Sequence, residues 1–282
     1  MALDKLVLMA LEAMDSWEYP KMGIRQDPWN VFIGSGNAYN TGCLFSRKLG
    51  GIALDTSTYI QFLSGHGKGD FNSINLISAS GGKDAVDVAK FLKEKDFGFN
   101  LITVNSEAPA RELATGETFV IPAFSEPPTS NVSTYGSMLH WLFREDARSI
   151  KEAILRLEIP DLRRHKNIIF LSSDSHAPVA RMAATKVMES LEGVSASGDG
   201  FTHGMHRGFL MQPRERLVFS INLGMPFEGE ETYRLQESSY LGALFSAYYI
   251  IGKNQTPRDL ENIEARYRKQ SQALGWKFNR IV

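Results

Sequence analysis

The sequence holds a single cysteine, Cys43, so no intramolecular disulfide can form and a Cys-x-x-Cys redox or metal motif is excluded. Packing is the expected fate of that thiol. An excess of one charge is also missing: 31 Lys and Arg stand against 32 Asp and Glu, a formal net charge of -1. Nucleic-acid binders ordinarily carry a basic excess or a clustered basic stripe. The local run Arg163-Arg164-His165-Lys166 is short and reads as a solvated helix end ahead of a strand. No apolar run reaches the roughly eighteen residues that a membrane span requires. The opening stretch, Met1 to Glu12, reads as an amphipathic helix with Asp4, Lys5 and Glu12, without the basic n-region and small-residue cleavage site of a signal peptide. A cytoplasmic chain with neither nucleic-acid nor membrane partners is the expectation.

What is present is the composition of a soluble globular protein, 43% hydrophobic and 22% charged over 282 residues, enough for two domains of ordinary size. Strand-like apolar runs alternate with helix-length segments, the pattern of parallel βαβ units. Val31-Phe32-Ile33, Gly51 to Leu54, Asn75-Leu76-Ile77, Leu101 to Val104 and Thr118 to Ile121 read as five strands. A second series begins at Asn167 to Leu171 and continues with Arg216 to Ser220 and a weaker candidate at Gly224 to Phe227. Helices are expected from Asp84, from near Thr134, over Pro178 to Leu191, over Ser239 to Ile251 and over Pro257 to Leu274. This implies an α/β protein with an N-terminal helical segment (1–29), a first subdomain (30–160) and a second with C-terminal helices (161–282).

Three loops fall where a parallel sheet delivers the carboxyl ends of its strands, the place where open α/β sheets bind ligands. Gly34-Ser35-Gly36-Asn37 follows the first strand, and its glycines allow an anion to approach the backbone at a helix start. Ser78-Ala79-Ser80-Gly81-Gly82-Lys83 is richer, placing two hydroxyls, two glycines and a cation before a helix. Thr129 to Thr134 again sets hydroxyls, Ser133 and Thr134 among them, before a long helix, where capping is the commoner use. His203 and His206, with Asp199, have some of the residue types of a metal site, but zinc wants better-defined ligands, so no metal is expected.

Together these loops resemble the sugar isomerase (SIS) domain family. Ser78, Ser80 and Gly81 match its S-x-S-G-x-T phosphate loop, with Lys83 at the position where threonine is usual. Gly34, Ser35 and Gly36 are similar to its strand-end glycine turn, and Ser133 and Thr134 to its later S-T pair. The second half resembles the isomerase part of glucosamine-6-phosphate synthase: Lys186-Val187-Met188-Glu189 is similar to its K-x-x-E helix end, and His203-Gly204 to its H-G pair. Pro257-Arg258-Asp259-Leu260 is similar to its P-R-N-L tail, although Asn262 stands where that enzyme carries a catalytic lysine.

The resemblance implies two SIS-type subdomains, each a parallel sheet flanked by helices, and an aldose-ketose isomerase of sugar phosphates or related anionic sugars that needs no cofactor. It implies Glu189 as the base that moves a proton between C1 and C2 and His203 as the ring opener, with His206, His176 and Lys186 as secondary candidates. It also implies anion ligands at Ser35, Gly36, Ser78, Ser80, Gly81, Lys83, Ser133 and Thr134. A homodimer with its active site near the subunit interface is expected, and the apolar helix Tyr240 to Ile251 is compatible with such an interface or with core packing. A non-catalytic sugar-phosphate sensor and an amino-sugar-phosphate deaminase are the alternatives.

Overall fold

The computed structural model describes residues 1–82, 84–127, 129–206, 216–224, 227 and 231–273. These form two compact units, one of residues 17–125 with 137–144, the other of 1–16, 126–136 and 145–273.

In the first unit the strands are β1 (Asn30–Gly34), β2 (Ile52–Asp55), β3 (Ser73–Ile77), β4 (Asn100–Thr103) and β5 (Thr118–Val120). They make one sheet in the order β2-β1-β3-β4-β5, parallel throughout. The helices between them are α2 (Asn37–Leu49), α3 (Tyr59–Leu63) and α4 (Asp84–Glu94). The central strands are apolar runs rather than alternations because crossover helices cover both faces. On one face Val31, Ile33, Leu76 and Leu101 pack with Val88, Ala89 and Leu92 of α4. On the other Phe32 meets Phe45 of α2 at 5.8 Å between ring centroids. Trp141, on α5 (Val132–Phe143), completes that layer, 5.9 Å from Phe45 and 5.3 Å from Phe119, and its indole N–H donates to the Pro20 carbonyl at 2.8 Å.

The second unit is built on β6 (Asn167–Ser172), β7 (Ser195–Gly200), β8 (Arg216–Ile221) and β9 (Glu231–Leu235), in the order β7-β6-β8-β9 and again parallel throughout. Its helices are α1 (Leu3–Met14), α6 (Ala147–Ile154), α7 (Ala177–Ser190), α8 (Phe201–His206), α9 (Tyr240–Lys253) and α10 (Pro257–Ala273). Two of these strands escape the sequence reading. β7 is Ser-Ala-Ser-Gly-Asp-Gly, with none of the β-branched residues that mark a strand, because α7 crosses it closely: a Cβ at Gly198 would lie 2.1 Å from the Ala180 carbonyl oxygen. β9, Glu-Thr-Tyr-Arg-Leu, is an edge strand with a polar face. The weaker strand candidate at Gly224 to Phe227 includes positions outside the described residues.

Helix α9 is buried from Leu241 through Gly252, so its apolar surface is core of its own unit. The Ser239 side chain starts it by accepting from the Gly242 N–H at 2.8 Å. α1 lies against it so closely that a Cβ at Gly252 would sit 2.0 Å from the Asp4 nitrogen, and Lys253 pairs with Asp4 at 3.2 Å. Nor is the basic run before β6 a purely solvated segment. Arg163 is tied to the buried Asp259 and to the Asn254 carbonyl, while His165 is buried 3.6 Å from Glu231.

Candidate functional site

In the five-stranded unit the serine-glycine loop sits at the carboxyl end of β3. Gly81 has φ +63°, the left-handed region, and its carbonyl accepts from the Ala110 N–H at 2.9 Å. The two preceding carbonyls are also committed, to the end of β4 and the segment after it. Ala79 accepts from the Thr103 hydroxyl at 2.9 Å and Ser80 from the Asn105 side-chain amide at 3.0 Å. With those carbonyls committed, the donors the loop can offer an anion are its serine hydroxyls. Ser78 Oγ accepts from the Gly81 N–H at 3.1 Å and Ser80 Oγ from the Gly82 N–H at 3.3 Å, bonds that leave each hydroxyl its own proton to donate. Both serines are half-buried. Lys83 lies outside the described residues.

The turn after β1 is of the same kind. Gly34 is crowded, with a would-be Cβ 2.7 Å from the Ala38 carbonyl carbon, whereas Gly36 has φ +54° and open space around it. Ser35 is half-buried beside it, ahead of α2. Thr103, Asn105 and Ala108, which shape the serine-glycine loop from outside, are residues that sequence reasoning missed. A lone polar residue past a strand end carries no signal of which loop it ties.

The four-stranded unit holds a cluster of ionisable side chains. Lys186 of α7 is fully buried, and its ammonium donates to Glu189 at 2.6 Å and to the Thr129 carbonyl. The same ammonium lies 5.4 Å from the centroid of the Tyr248 ring of α9, a cation–π contact. Glu189, three residues along α7, keeps 30% of its side chain exposed, so it is reachable while its partner is not. Thr129 has φ +70°, which a β-branched residue adopts only when its surroundings compel it.

Glu126, absent from the sequence reading, closes this cluster. One carboxylate oxygen takes the Val132 N–H at 2.8 Å; the other takes the Ser133 hydroxyl at 2.9 Å and the Thr134 hydroxyl at 3.2 Å. The carboxylate thus caps α5, and the S-T hydroxyls serve it. Burial pushes the Glu126 carboxyl up, against the opposing pull of those donors and of Lys186. The phenols of Tyr135 and Tyr248 are pushed well up, first by burial and then by the negative charge of Glu189.

The histidines are distributed differently. His176 is buried at the start of α7, its Nδ1 3.0 Å from Ser173 Oγ and its Nε2 3.1 Å from the Asn222 amide, with Tyr240 against its ring at 4.5 Å between centroids. His203 and His206 are exposed on α8. Asp199 pairs with Arg181 at 2.7 Å and accepts the Gly200 N–H. Among the described residues no three His, Cys, Asp or Glu side chains assemble in a way that could hold a metal, and no helix is long and apolar enough to cross a membrane.

No protein-family model matches the sequence, and no curated protein is similar to it at the sequence level. Solved structures are similar in fold. The tagatose-6-phosphate ketose/aldose isomerase of Escherichia coli superimposes with a TM-score of 0.62 at 14% identity, over 92% of this chain and 90% of that one. The C-terminal domain of glucosamine-fructose-6-phosphate aminotransferase from Francisella tularensis gives 0.61 at 11% identity, over 93% and 94%. Glucosamine-6-phosphate deaminase from Thermotoga maritima gives 0.59 at 13% identity, over 94% and 92%. The fold that the chain shares with these three proteins is two parallel-sheet units flanked by helices.

Proposed function

We propose that the chain is a sugar-phosphate aldose-ketose isomerase in which Glu189 moves a proton between C1 and C2. The observation that carries this reading is the pairing of a reachable carboxylate, Glu189, with a fully buried cation, Lys186, at 2.6 Å. An isomerase base must be open to the substrate carbon and yet fixed in direction, and an ion pair with an immobile lysine does both. Ser35, Gly36, Ser78, Ser80, Gly81 and Lys83 are the proposed anion ligands, supported by the hydroxyls of Ser78 and Ser80, each of which keeps its own proton to donate. Ser133 and Thr134 are left out of that set because Glu126 engages their hydroxyls. His203, exposed on α8, is the proposed ring opener, with His206 as its competitor. A homodimer goes with this reading, and light scattering of the purified chain tests it.

The deciding experiment is exchange in deuterated water. Candidate aldose 6-phosphates are incubated with the protein and deuterium at C2 is followed by NMR, with Glu189→Gln alongside. The wild type is expected to exchange at least one of them and the variant to lose about 10²-fold or more, the ordinary contribution of a general base. Binding without exchange for every sugar would replace the isomerase with a sugar-phosphate sensor. Ammonia release from an amino-sugar phosphate would assign a deaminase instead.

A further inference from the structure

One buried group around Glu189 has no visible use. The Tyr248 hydroxyl is buried without a hydrogen-bond partner, in the middle of α9, where every neighbouring residue is also buried. An orphaned hydroxyl destabilises a core, and a phenylalanine would fill the same space without that penalty. What surrounds it is ionisable: Lys186 and Glu189 from α7, Glu126 from the lead-in to α5 and the neutral phenol of Tyr135 from its first turn. Lys186 is the only fully buried cation of this group, and its two hydrogen-bond partners are the Glu189 carboxylate and the Thr129 carbonyl.

Proton transfer disturbs this balance, and the inference rests in part on the isomerase reading. When Glu189 takes the C2 proton, the C2–H bonding pair enters the C1–C2 bond and the C1 carbonyl pair moves to O1, which takes a proton from water. In the second step Glu189 gives that proton to C1 on the C1–C2 π pair, the O2–H pair forms the C2 carbonyl, and the O2 proton returns to the hydroxide left by the first step. Between the two steps Glu189 is neutral and Lys186, still charged and shut away from water, has lost the one carboxylate it is hydrogen-bonded to. Stranding a buried charge is far costlier than stranding a hydroxyl. We propose that Tyr248 is a positioning residue whose hydroxyl is the reserve acceptor for the Lys186 ammonium whenever Glu189 is protonated. The ammonium already lies 5.4 Å from the centroid of the Tyr248 ring, and in this proposal it moves along that ring to the phenolic oxygen once Glu189 is neutral. Tyr248 thereby makes the protonated state of the base accessible without touching the sugar.

The test is a double-mutant cycle on the full chain, with Glu189→Gln standing in for the protonated glutamate and thermal unfolding as the readout. Glu189 is partly exposed and Gln is its isostere, while Tyr248→Phe removes one oxygen, so all four proteins are expected to fold. In the wild-type background Tyr248→Phe is expected to leave the melting temperature unchanged or raise it. In the Glu189→Gln background the same change is expected to lower it by about 2–4 °C, because there the hydroxyl is in use. Equal shifts in both backgrounds would overturn the proposal. Turnover supplies the second readout: Tyr248→Phe is expected to slow C2 exchange about tenfold with KM unchanged, and an unchanged rate would also overturn it. Should the wild type exchange no sugar phosphate, the isomerase reading fails separately, and the unfolding cycle still decides whether Tyr248 serves Lys186.

Discussion

Replacing Gly81 with alanine probes the serine-glycine loop through two independent costs. The residue has φ +63°, and a Cβ there would lie 2.4 Å from the Ala108 Cβ. Holding an L-residue in the left-handed region costs about 1–2 kcal/mol. Two methyl carbons need roughly 3.5–4 Å between them, so the loop and the Ala108 segment must part by more than an ångström. That movement breaks the bond from the Ala110 N–H to the Gly81 carbonyl, of 2.9 Å, which contributes about 1 kcal/mol. Gly81→Ala is therefore expected to lose about 2–4 kcal/mol of stability. Urea unfolding measures this, and Gly69→Ala is the control, because a Cβ at that glycine meets nothing within 4 Å. Adding Ala108→Gly to Gly81→Ala removes the 2.4 Å contact, leaving the Cα of residue 108 at 3.2 Å and the dihedral cost, so part of the loss returns. A Gly81→Ala protein as stable as the wild type would refute the geometry of the loop, and with it the argument for an anion site there.

Other changes test other parts of the molecule. Gly198→Ala places a Cβ 2.1 Å from the Ala180 carbonyl oxygen and is expected to cost about 3 kcal/mol or more by forcing α7 off β7, read as a lowered urea midpoint. Ser239→Ala removes the cap of α9, accepted from the Gly242 N–H, and is expected to cost about 1 kcal/mol in thermal unfolding. Glu126 bears on pH dependence. Burial raises its folded value, so the folded protein holds this proton more tightly than the unfolded chain does, and the associated stability is lost as pH rises from the ordinary carboxylate range toward that raised value. Glu126→Gln cannot ionise, so between pH 4 and 7 the wild type is expected to lose stability relative to the variant. A constant difference across that range would contradict the burial argument.

How much of this was legible beforehand follows from which forces act locally. The strands of the five-stranded unit were visible because a parallel strand covered on both faces must be apolar along its length, as Val31-Phe32-Ile33 and Leu101-Ile102 are. β7 was hidden because its composition answers to α7 rather than to strand propensity: closeness at Gly198 and Gly200 demands small residues. The serine-glycine loop could be found because hydroxyls, glycines and a helix start cluster within six positions. Its supports at Thr103, Asn105 and Ala108 could not, since they come from another strand end. Glu189 and Lys186 lie three apart on one helix and were read together. Glu126 and Tyr248 join them from segments 63 and 59 residues away in the sequence, and local patterning has no means of bringing them in. For the same reason local patterning does not show that the Ser133 and Thr134 hydroxyls donate to Glu126.

The way the two units divide the chain has a consequence for synthesis. The first sixteen residues belong with the four-stranded sheet, yet its strands begin only at Asn167. As the polypeptide emerges from the ribosome, α1 must wait for α9, whose docking surface is made more than two hundred residues later, while the five-stranded unit can be completed in the interval. Trimming the amino terminus should therefore weaken the distant C-terminal sheet before the one that follows it in sequence.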